Sequence, residues 1–392
     1  MTADTTGGDL TDGDSTGGDS TGGDSPEVEI TGVVGAGLMG RDVAGLLANA
    51  GYAVTLVDVD VDALGRARTY HESRLVDELE AGGIDVAGSL ADRIAYETEI
   101  DALADADFVV EAVPERLDLK REVLAAVEDA VDAHAVLGTN TSSLTPGDIA
   151  ADLDNPERVV LFHFANPALR RDIVEISGDD ASDRAIAIAR EVATAIDREP
   201  IELERECRAN GLSRLSASIK CAATWELLEA ESAAVDAGAT AVGFDRGPLE
   251  LIDLIGLDVH LATVDNLAEA YGDRYAPPPS VRDRMDAMVA DGRLGKKAGE
   301  GFFEWDGETC LVPDPQDPHD VTPILAALVN EGHRLVADGV ADAETVDEIL
   351  KRGGDSEVGS FDLEEMFGQD SLRETLRERH EKTGASVYEP VF

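Results

Sequence analysis

The stretch VEITGVVGAGLMGRDVAGLLANAG, residues 28–51, constrains this chain more than any other. Its first seven residues, VEITGVV, are rich in β-branched residues and read as a strand. Residues 38–50 read as a helix, with Leu38, Val43, Leu46 and Leu47 on one face and Gly51 as the stop. Between them Gly35, Gly37 and Gly40 fall in the spacing G-x-G-x-x-G. Alone that spacing is a weak signal; directly after a strand and opening a helix it points to a dinucleotide site. Gly35 permits the tight turn, and Gly37 lets the backbone approach a pyrophosphate. Leu38 and Met39 belong to the helix N-terminus, whose free N–H groups face that anion, and Gly40 completes the spacing. The next strand, 52–58, ends on Asp58, eighteen residues after Gly40, where a carboxylate can accept from ribose hydroxyls. A 2′-phosphate would face Asp58 and Asp60, so NAD is expected rather than NADP.

Further strands are expected at 107–114, 135–140, 158–164 and 172–176, with a helix near 117–130. Strands alternating with helices imply parallel pairing in a doubly wound sheet. After about residue 205 the strand signals stop, and the rest reads as helices broken by Gly and Pro turns. GPLELIDLIGLD (247–258) is echoed by GSFDLEEMFGQD (359–370), and RYAP (274–277) by VYEP (387–390). Each echo follows a helical stretch holding Trp225-Glu226 or Asn330-Glu331. The expected fold class is therefore an α/β Rossmann sheet, doubly wound and parallel, followed by two all-α helical domains. Residues 1–26 read as a disordered acidic Gly/Asp/Ser/Thr tail, 27–204 as the nucleotide domain, 205–311 and 321–392 as the two helical copies, and 312–320 as their linker.

The formal net charge is −50, with 82 acidic residues spread along the chain. Such a field repels phosphate backbones and argues against nucleic-acid binding. It also repels itself in dilute buffer; at about 1 M salt the Debye length falls to roughly 3 Å and the repulsion is screened. A salt-accumulating, halophilic source is expected. No apolar run reaches membrane-spanning length and no basic-plus-apolar leader opens the chain, so a cytoplasmic location is expected. Cys207, Cys221 and Cys310 lack metal or redox spacing; they read as free thiols, and no metal site is expected.

LFHFANP, residues 161–167, places one titratable ring inside an apolar run. His163 has two readings: a core histidine that found a hydrogen bond, or a general base at the end of a buried strand. The other histidines, His71, His134, His260, His319, His333 and His380, carry no partner motif and read as surface residues.

GAGLMG, VVEAVPERLDLK (109–120), NTSSL (140–144), FHFANP (162–167) and IVEI (173–176) resemble, in that order, the L-3-hydroxyacyl-CoA dehydrogenase family. GPLELIDLIGLD and GKKAGEGFFEW (295–305) resemble that family's helical C-terminal domain, and the tail resembles the same domain duplicated. The resemblance implies His163 as catalytic base, Glu175 as its carboxylate partner and Ser142 as the hydroxyl beside the substrate oxygen. It implies Ala112, Val113, Glu115, Lys120 and Asn140 as cofactor-side positions, Lys120 being open between cofactor contact and a solvated helix face. The implied substrate is an acyl-CoA and the implied reaction is NAD-dependent oxidation of its 3-hydroxyl. Family members commonly pair through the helical domain, so a second copy on one chain implies a monomer or weak homo-oligomer. The pattern departs in RANGLSRL (208–215), where Ser213 stands in the family's asparagine position and Asn210 is a possible substitute. The residues FDR before Gly247 and the missing CoA-contacting lysine leave the acyl and CoA contacts open, with Arg66, Arg68 and Arg74 as candidates. A dehydrogenase for a smaller hydroxy acid and a catalytically weak NAD(H)-binding paralogue are the alternative readings.

Overall fold

The structure, a computed structural model, describes residues 28–392 apart from 87, 89, 314–316 and 355. The expected tail at 1–26 and the middle of the expected linker lie outside the described residues. The first half runs β1 (Ile30–Val34), α1 (Leu38–Ala50), β2 (Ala53–Val57), α2 (Val61–Ser73), α3 (Leu75–Ala81), β3 (Ile94–Glu97), β4 (Phe108–Glu111), α4 (Leu117–Ala130), β5 (Val136–Thr139), α5 (Pro146–Ala150), β6 (Val159–Phe164), β7 (Ile173–Ser177), α6 (Asp183–Ala195) and β8 (Glu199–Glu202). These strands form one sheet in the order β3-β2-β1-β4-β5-β6-β7-β8.

All neighbouring pairs are parallel except β6 and β7, which are antiparallel. The doubly wound, parallel expectation thus holds across the sheet apart from this one pair. Only residues 165–172 join β6 to β7. A parallel crossover needs about a dozen residues or more, so the chain must turn straight back. Two strands of this sheet were not expected from the sequence, β3 (IAYE) and β8 (EPIE), and a short hairpin at 304–311 likewise interrupts the region read as all-α. β3 and β8 lie at sheet edges, where half the pattern is polar and Pro200 is tolerated.

The sheet is buried on both faces. Along β1, Val33 packs with Leu46, Leu56 and Phe162 on one side, and Val34 packs with Val109, Leu124 and Leu137 on the other. Adjacent strand residues point to opposite faces, which is why these strands read as continuous apolar runs.

The helical half contains α7 (Gly211–Glu226), α8 (Ser232–Ala241), α9 (Pro248–Ile255), α10 (Leu257–Tyr271), α11 (Pro279–Ala290), a hairpin of β9 (Glu304–Asp306) and β10 (Thr309–Leu311), α12 (Thr322–Ala337), α13 (Ala343–Glu348), a π-helical turn Ile349–Gly353, α14 (Ser360–Phe367) and α15 (Gln369–Thr383). One apolar cluster runs through it from Leu215, Ile252 and Met285 to Leu328, Leu376 and Tyr388. The polar groups inside that core cross over between its two segments. Tyr275 Oη donates to Glu331 at 2.7 Å, and Tyr388 Oη donates to Glu226 at 3.1 Å. Arg214, wholly buried, pairs with Glu331 at 2.7 Å, and Arg379 pairs with Glu226.

Five of the expected surface histidines are otherwise placed or paired, among them His380, half-buried with Nδ1 3.0 Å from the Ala385 carbonyl. His71 and His260 are buried: His71 sits between Tyr96 Oη and the Arg41 carbonyl, both at 2.8 Å, and His260 lies inside the helical half. His319 and His333 are half-buried against Glu226 and Glu364. Helix-on-helix packing covers these positions, and no local pattern announces it.

Candidate active site

The glycine loop has the geometry its spacing requires. Gly35 has φ of +105°, and a Cβ there would stand 2.7 Å from the Ala112 carbonyl oxygen. A Cβ on Gly40 would stand 1.8 Å from the Gly35 carbonyl oxygen. A Cβ on Gly37, by contrast, would meet nothing within 4 Å. Gly37 caps α1 with no side-chain bond and no acidic residue follows in the first turn, so among the described residues the first helix amides face open space suited to an anion. Leu38 is exposed beside them, and Met39 packs partly into the sheet core. Ala112 and Val113 form the facing wall after β4; the Val113 amide donates to Glu111 Oε1 at 2.7 Å.

Asp58 follows β2 and is more than a prospective ribose partner. Its Oδ2 accepts from the Ala36 amide at 2.7 Å and its Oδ1 from the Asp60 amide at 2.8 Å. These bonds fix the loop and leave lone pairs free for hydroxyl donors. The open space over Gly37, the free amides and this carboxylate fit a dinucleotide without a 2′-phosphate.

Two strand ends and one loop meet beside that loop's crevice. His163 on β6 and Glu175 on β7 are direct antiparallel register partners. His163 Nδ1 lies 2.9 Å from Glu175 Oε2, and His163 Nε2 lies 3.2 Å from Ser142 Oγ. Glu175 is fully buried, and its other oxygen accepts from the Gly211 amide at 2.9 Å and the Leu212 amide at 3.0 Å. Those amides are the first turn of α7. The α7 amides orient the carboxylate, and its other oxygen holds the proton on Nδ1. The lone pair of Nε2 then points toward Ser142.

The Ser142 loop is itself built on a carboxylate. Glu115 Oε1 accepts from Thr141 Oγ1 at 2.6 Å, the Ser142 amide at 3.0 Å, the Ser143 amide at 2.7 Å and Ser143 Oγ at 2.8 Å. Burial pushes the Glu115 carboxyl up, but the Lys120 ammonium and the Thr141 and Ser143 bonds outweigh it and hold it below its ordinary value. Lys120 corrects the solvated-face reading. It is buried, bonded to Glu111 at 2.8 Å and to the Val113 carbonyl at 3.2 Å, and paired with Glu115 at 3.2 Å. Asn140 Oδ1 accepts from the Phe164 amide at 2.9 Å and ties the end of β5 to the end of β6.

Ser213 sits in the first turn of α7, its amide donating to Asn210 Oδ1 at 3.1 Å. Among the described residues no hydrogen bond joins its hydroxyl to His163. Asn210 is the cap of that helix, buried, with φ of 23°. Glu111 and the two α7 amides were not foreseen as parts of the site. Backbone amides carry no residue signature; the only trace was an asparagine before Gly211, a residue type favoured at helix caps.

A dinucleotide loop beside a hydroxyl–imidazole–carboxylate relay is the arrangement of a nicotinamide-dependent alcohol dehydrogenase. Comparison with known proteins narrows this. Residues 30–207 match the model described as 3-hydroxyacyl-CoA dehydrogenase, NAD binding domain. Residues 213–305 and 321–392 both match 3-hydroxyacyl-CoA dehydrogenase, C-terminal domain. The 3-hydroxyadipyl-CoA dehydrogenase of Escherichia coli K12 is 34% identical over 295 residues, covering 73% of this chain and 61% of the relative. A crystal structure of 3-hydroxybutyryl-CoA dehydrogenase from Escherichia coli K12 superposes with a TM-score of 0.78 at 24% identity, over 93% of this chain and 97% of that one. The (S)-3-hydroxybutyryl-CoA dehydrogenase of Ralstonia eutropha gives a TM-score of 0.63 at 29% identity, over 71% of this chain and all of that one (100%). The chain belongs to the 3-hydroxyacyl-CoA dehydrogenase family, and its first half is that family's NAD binding domain.

Proposed function

We propose that the protein oxidises the 3-hydroxyl of an (S)-3-hydroxyacyl-CoA to a 3-oxoacyl-CoA, reversibly and with NAD. The observation that carries this is the continuous chain from Ser142 Oγ through His163 to Glu175 and the α7 amides. Bound NAD supplies the acceptor for the hydride that leaves the carbinol carbon. His163 Nε2 takes the hydroxyl proton as the carbon–oxygen double bond forms. Glu175 fixes the tautomer and stabilises the imidazolium. Ser142 directs the substrate oxygen toward Nε2. In the reverse direction His163 returns the proton to the alkoxide oxygen.

The thioester reading rests on a basic groove in an acidic chain. A groove of about 580 Å³ between the first turn of α1 and α2 carries Arg41, Arg66 and Arg74 against one acid, Asp62, with Gly65, Thr69, Tyr70 and Ser73 completing its lining. Arg66 and Arg74, loosely paired with Asp60 at 3.4 Å and Glu78 at 3.9 Å on an exposed face, are the candidates for CoA phosphates, whereas Arg68 stacks on Tyr96 at 4.6 Å. The chain's charge supports a salt-rich, halophilic cytoplasm as its setting. The crossed Tyr275–Glu331 and Tyr388–Glu226 contacts support two helical copies, 205–311 and 321–392, paired within one chain that works as a monomer. Light scattering in molar KCl tests this; an obligate tetramer would remove it.

The decisive experiment is NADH oxidation with acetoacetyl-CoA and with free acetoacetate, in molar KCl, for wild type and His163→Ala. Turnover of the thioester alone, lost in the variant, is expected. Turnover of the free acid would move the assignment to a smaller hydroxy acid, and NADH binding without turnover would move it to a binding paralogue.

A further inference from the structure

The first turn of α7, whose amides hold Glu175, is itself held from behind. A Cβ on Gly211 would stand 2.9 Å from Glu175 Oε1 and 2.8 Å from Ile349 Cδ1, so the Gly211 backbone is sandwiched between the two. Ile349 is wholly buried and opens the π-helical turn Ile349–Gly353 of the second helical segment. At the other end of that turn a Cβ on Gly353 would stand 2.7 Å from Ile173 Cδ1 and 3.1 Å from Leu212 Cδ2. Ile173 opens β7 on the same face as Glu175, and Leu212 supplies the second amide to that carboxylate. The turn therefore packs against both elements that Glu175 joins. Ile173, Ile349 and Leu350 belong to one buried apolar cluster. On the outer side Arg352 pairs with Asp172 at 2.8 Å and Glu199 at 3.5 Å, at the starts of β7 and β8. Those ion pairs are part-exposed and contribute little, so the buried contacts carry the attachment.

The first helical segment has the equivalent stretch and uses it differently. In each segment an aspartate braces the start of the following helix. Asp236 accepts from the Leu249 and Glu250 amides at 3.0 and 2.8 Å, and Asp347 from the Phe361 amide at 2.8 Å. A Cβ on the capping glycine, Gly247 or Gly359, would overlap that aspartate. Gly247 comes eleven residues after Asp236, and Gly359 twelve after Asp347. An i→i+5 turn takes up one residue more than an α-turn, and the π turn lies within the longer stretch. In the first segment α8 runs on as regular helix to Ala241, and residues 240–243 are exposed. In the second the turn closes on α7 and β7, with Gly353 buried. Such turns are rare and frequently stand at functional sites.

We propose that the second helical segment is a working part of the active site: its π turn clamps the first turn of α7 onto Glu175, which makes Ile349 and Gly353 positioning residues for the His163 relay. Neither touches a reacting atom. Ile349 acts through the Gly211 backbone, and Gly353 through Leu212 and Ile173. The amides hold Glu175, and Glu175 aims His163, only while that turn is seated. The inference rests on the dehydrogenase reading above and adds the element that sets its geometry.

The test is NADH oxidation with acetoacetyl-CoA in molar KCl, for the full chain as wild type, Ile349→Ala, Ile349→Leu, Gly353→Ala and Leu376→Ala. The measured quantity is kcat per NADH-binding site, the sites being counted by fluorescence titration, so that unfolded material drops out. Ile349→Ala should lower it by roughly 10- to 100-fold, the scale of a misplacement of about 1 Å at the reacting groups, with KM held within about threefold. Ile349→Leu keeps an apolar side chain of the same volume and should keep most of the rate. Gly353→Ala drives a methyl group against Ile173 and Leu212 and should lower kcat per site in the same sense. Leu376→Ala opens a comparable cavity on α15, which packs on α12 and α14; it should lower the melting temperature and leave kcat per site near wild type. Ile349→Ala with kcat per site within about threefold of wild type, or a Leu376→Ala variant that loses as much, overturns the proposal and leaves the dehydrogenase reading intact. Gly353→Ala decides by the same threshold where Ile349→Ala yields no NADH-binding protein. Wild type that binds NADH without turning over acetoacetyl-CoA would instead remove that reading, and this proposal with it.

Discussion

Glu175→Gln isolates the tautomer argument. The carboxylate accepts three bonds, from His163 Nδ1 on one oxygen and from the Gly211 and Leu212 amides on the other. An amide of the same shape has one accepting oxygen and one NH₂. Turning the NH₂ toward the two α7 amides opposes buried donors and leaves them unsatisfied, at about 1–3 kcal/mol each. Turning it toward His163 avoids that cost, but Nδ1 must then accept, and the ring proton moves to Nε2. The second arrangement is the cheaper one. It leaves the fold in place and puts a proton where the base must have a lone pair. Loss of general-base function is expected to lower kcat by about 10² to 10⁴. Removing the negative charge from the α7 N-terminus should cost stability of about 0.3–2 kcal/mol. Steady-state NADH oxidation with acetoacetyl-CoA, NADH binding by fluorescence and a thermal melt measure the three parts. A variant with kcat within about tenfold of wild type, below the range for a lost base, refutes the tautomer argument. So does a variant that loses NADH binding in parallel with turnover.

Gly37→Ala should fold normally, since its Cβ meets nothing within 4 Å, yet weaken NADH binding at least tenfold in a fluorescence titration by filling the space over the α1 amides. Lys120→Met leaves Glu111 and Glu115 facing each other without a cation; denaturant unfolding in molar KCl should show a loss of about 3–5 kcal/mol. The Glu115 carboxyl is depressed in the folded protein, so its contribution is complete above its unfolded value of 4.5 and disappears as pH falls through the folded value. The stability difference between wild type and Glu115→Gln, followed by urea unfolding, should therefore hold at neutral pH and shrink below about 4.5.

Local signals carried much of this molecule. The helix read over 38–50 is α1 with the same bounds, because Gly51 stops it and its apolar stripe is regular. The helix near 117–130 is α4, and the strands carrying His163 and Glu175 lie where their β-branched runs put them. What the sequence hid has specific causes. β3 and β8 are short polar edge strands whose pairing depends on β2 and β7 being present. The reversal of β7 is set by the length of a connection and not by any residue type. Lys120 has the composition of a surface helix residue; only the fold brings two carboxylates and a carbonyl to it. Likewise Glu115 reads as one acid among 82, and its bonds to the Thr141–Ser143 loop span 26 to 28 residues.

Glu175 has a consequence for motion. One of its oxygens belongs to the sheet through His163, and the other to the helical half through Gly211 and Leu212. Any hinge movement that lifts α7 away from β7 must unlatch that side chain. The imidazole is thus correctly aimed only while both halves are seated. An opened molecule, free to exchange its contents, is switched off by the same displacement.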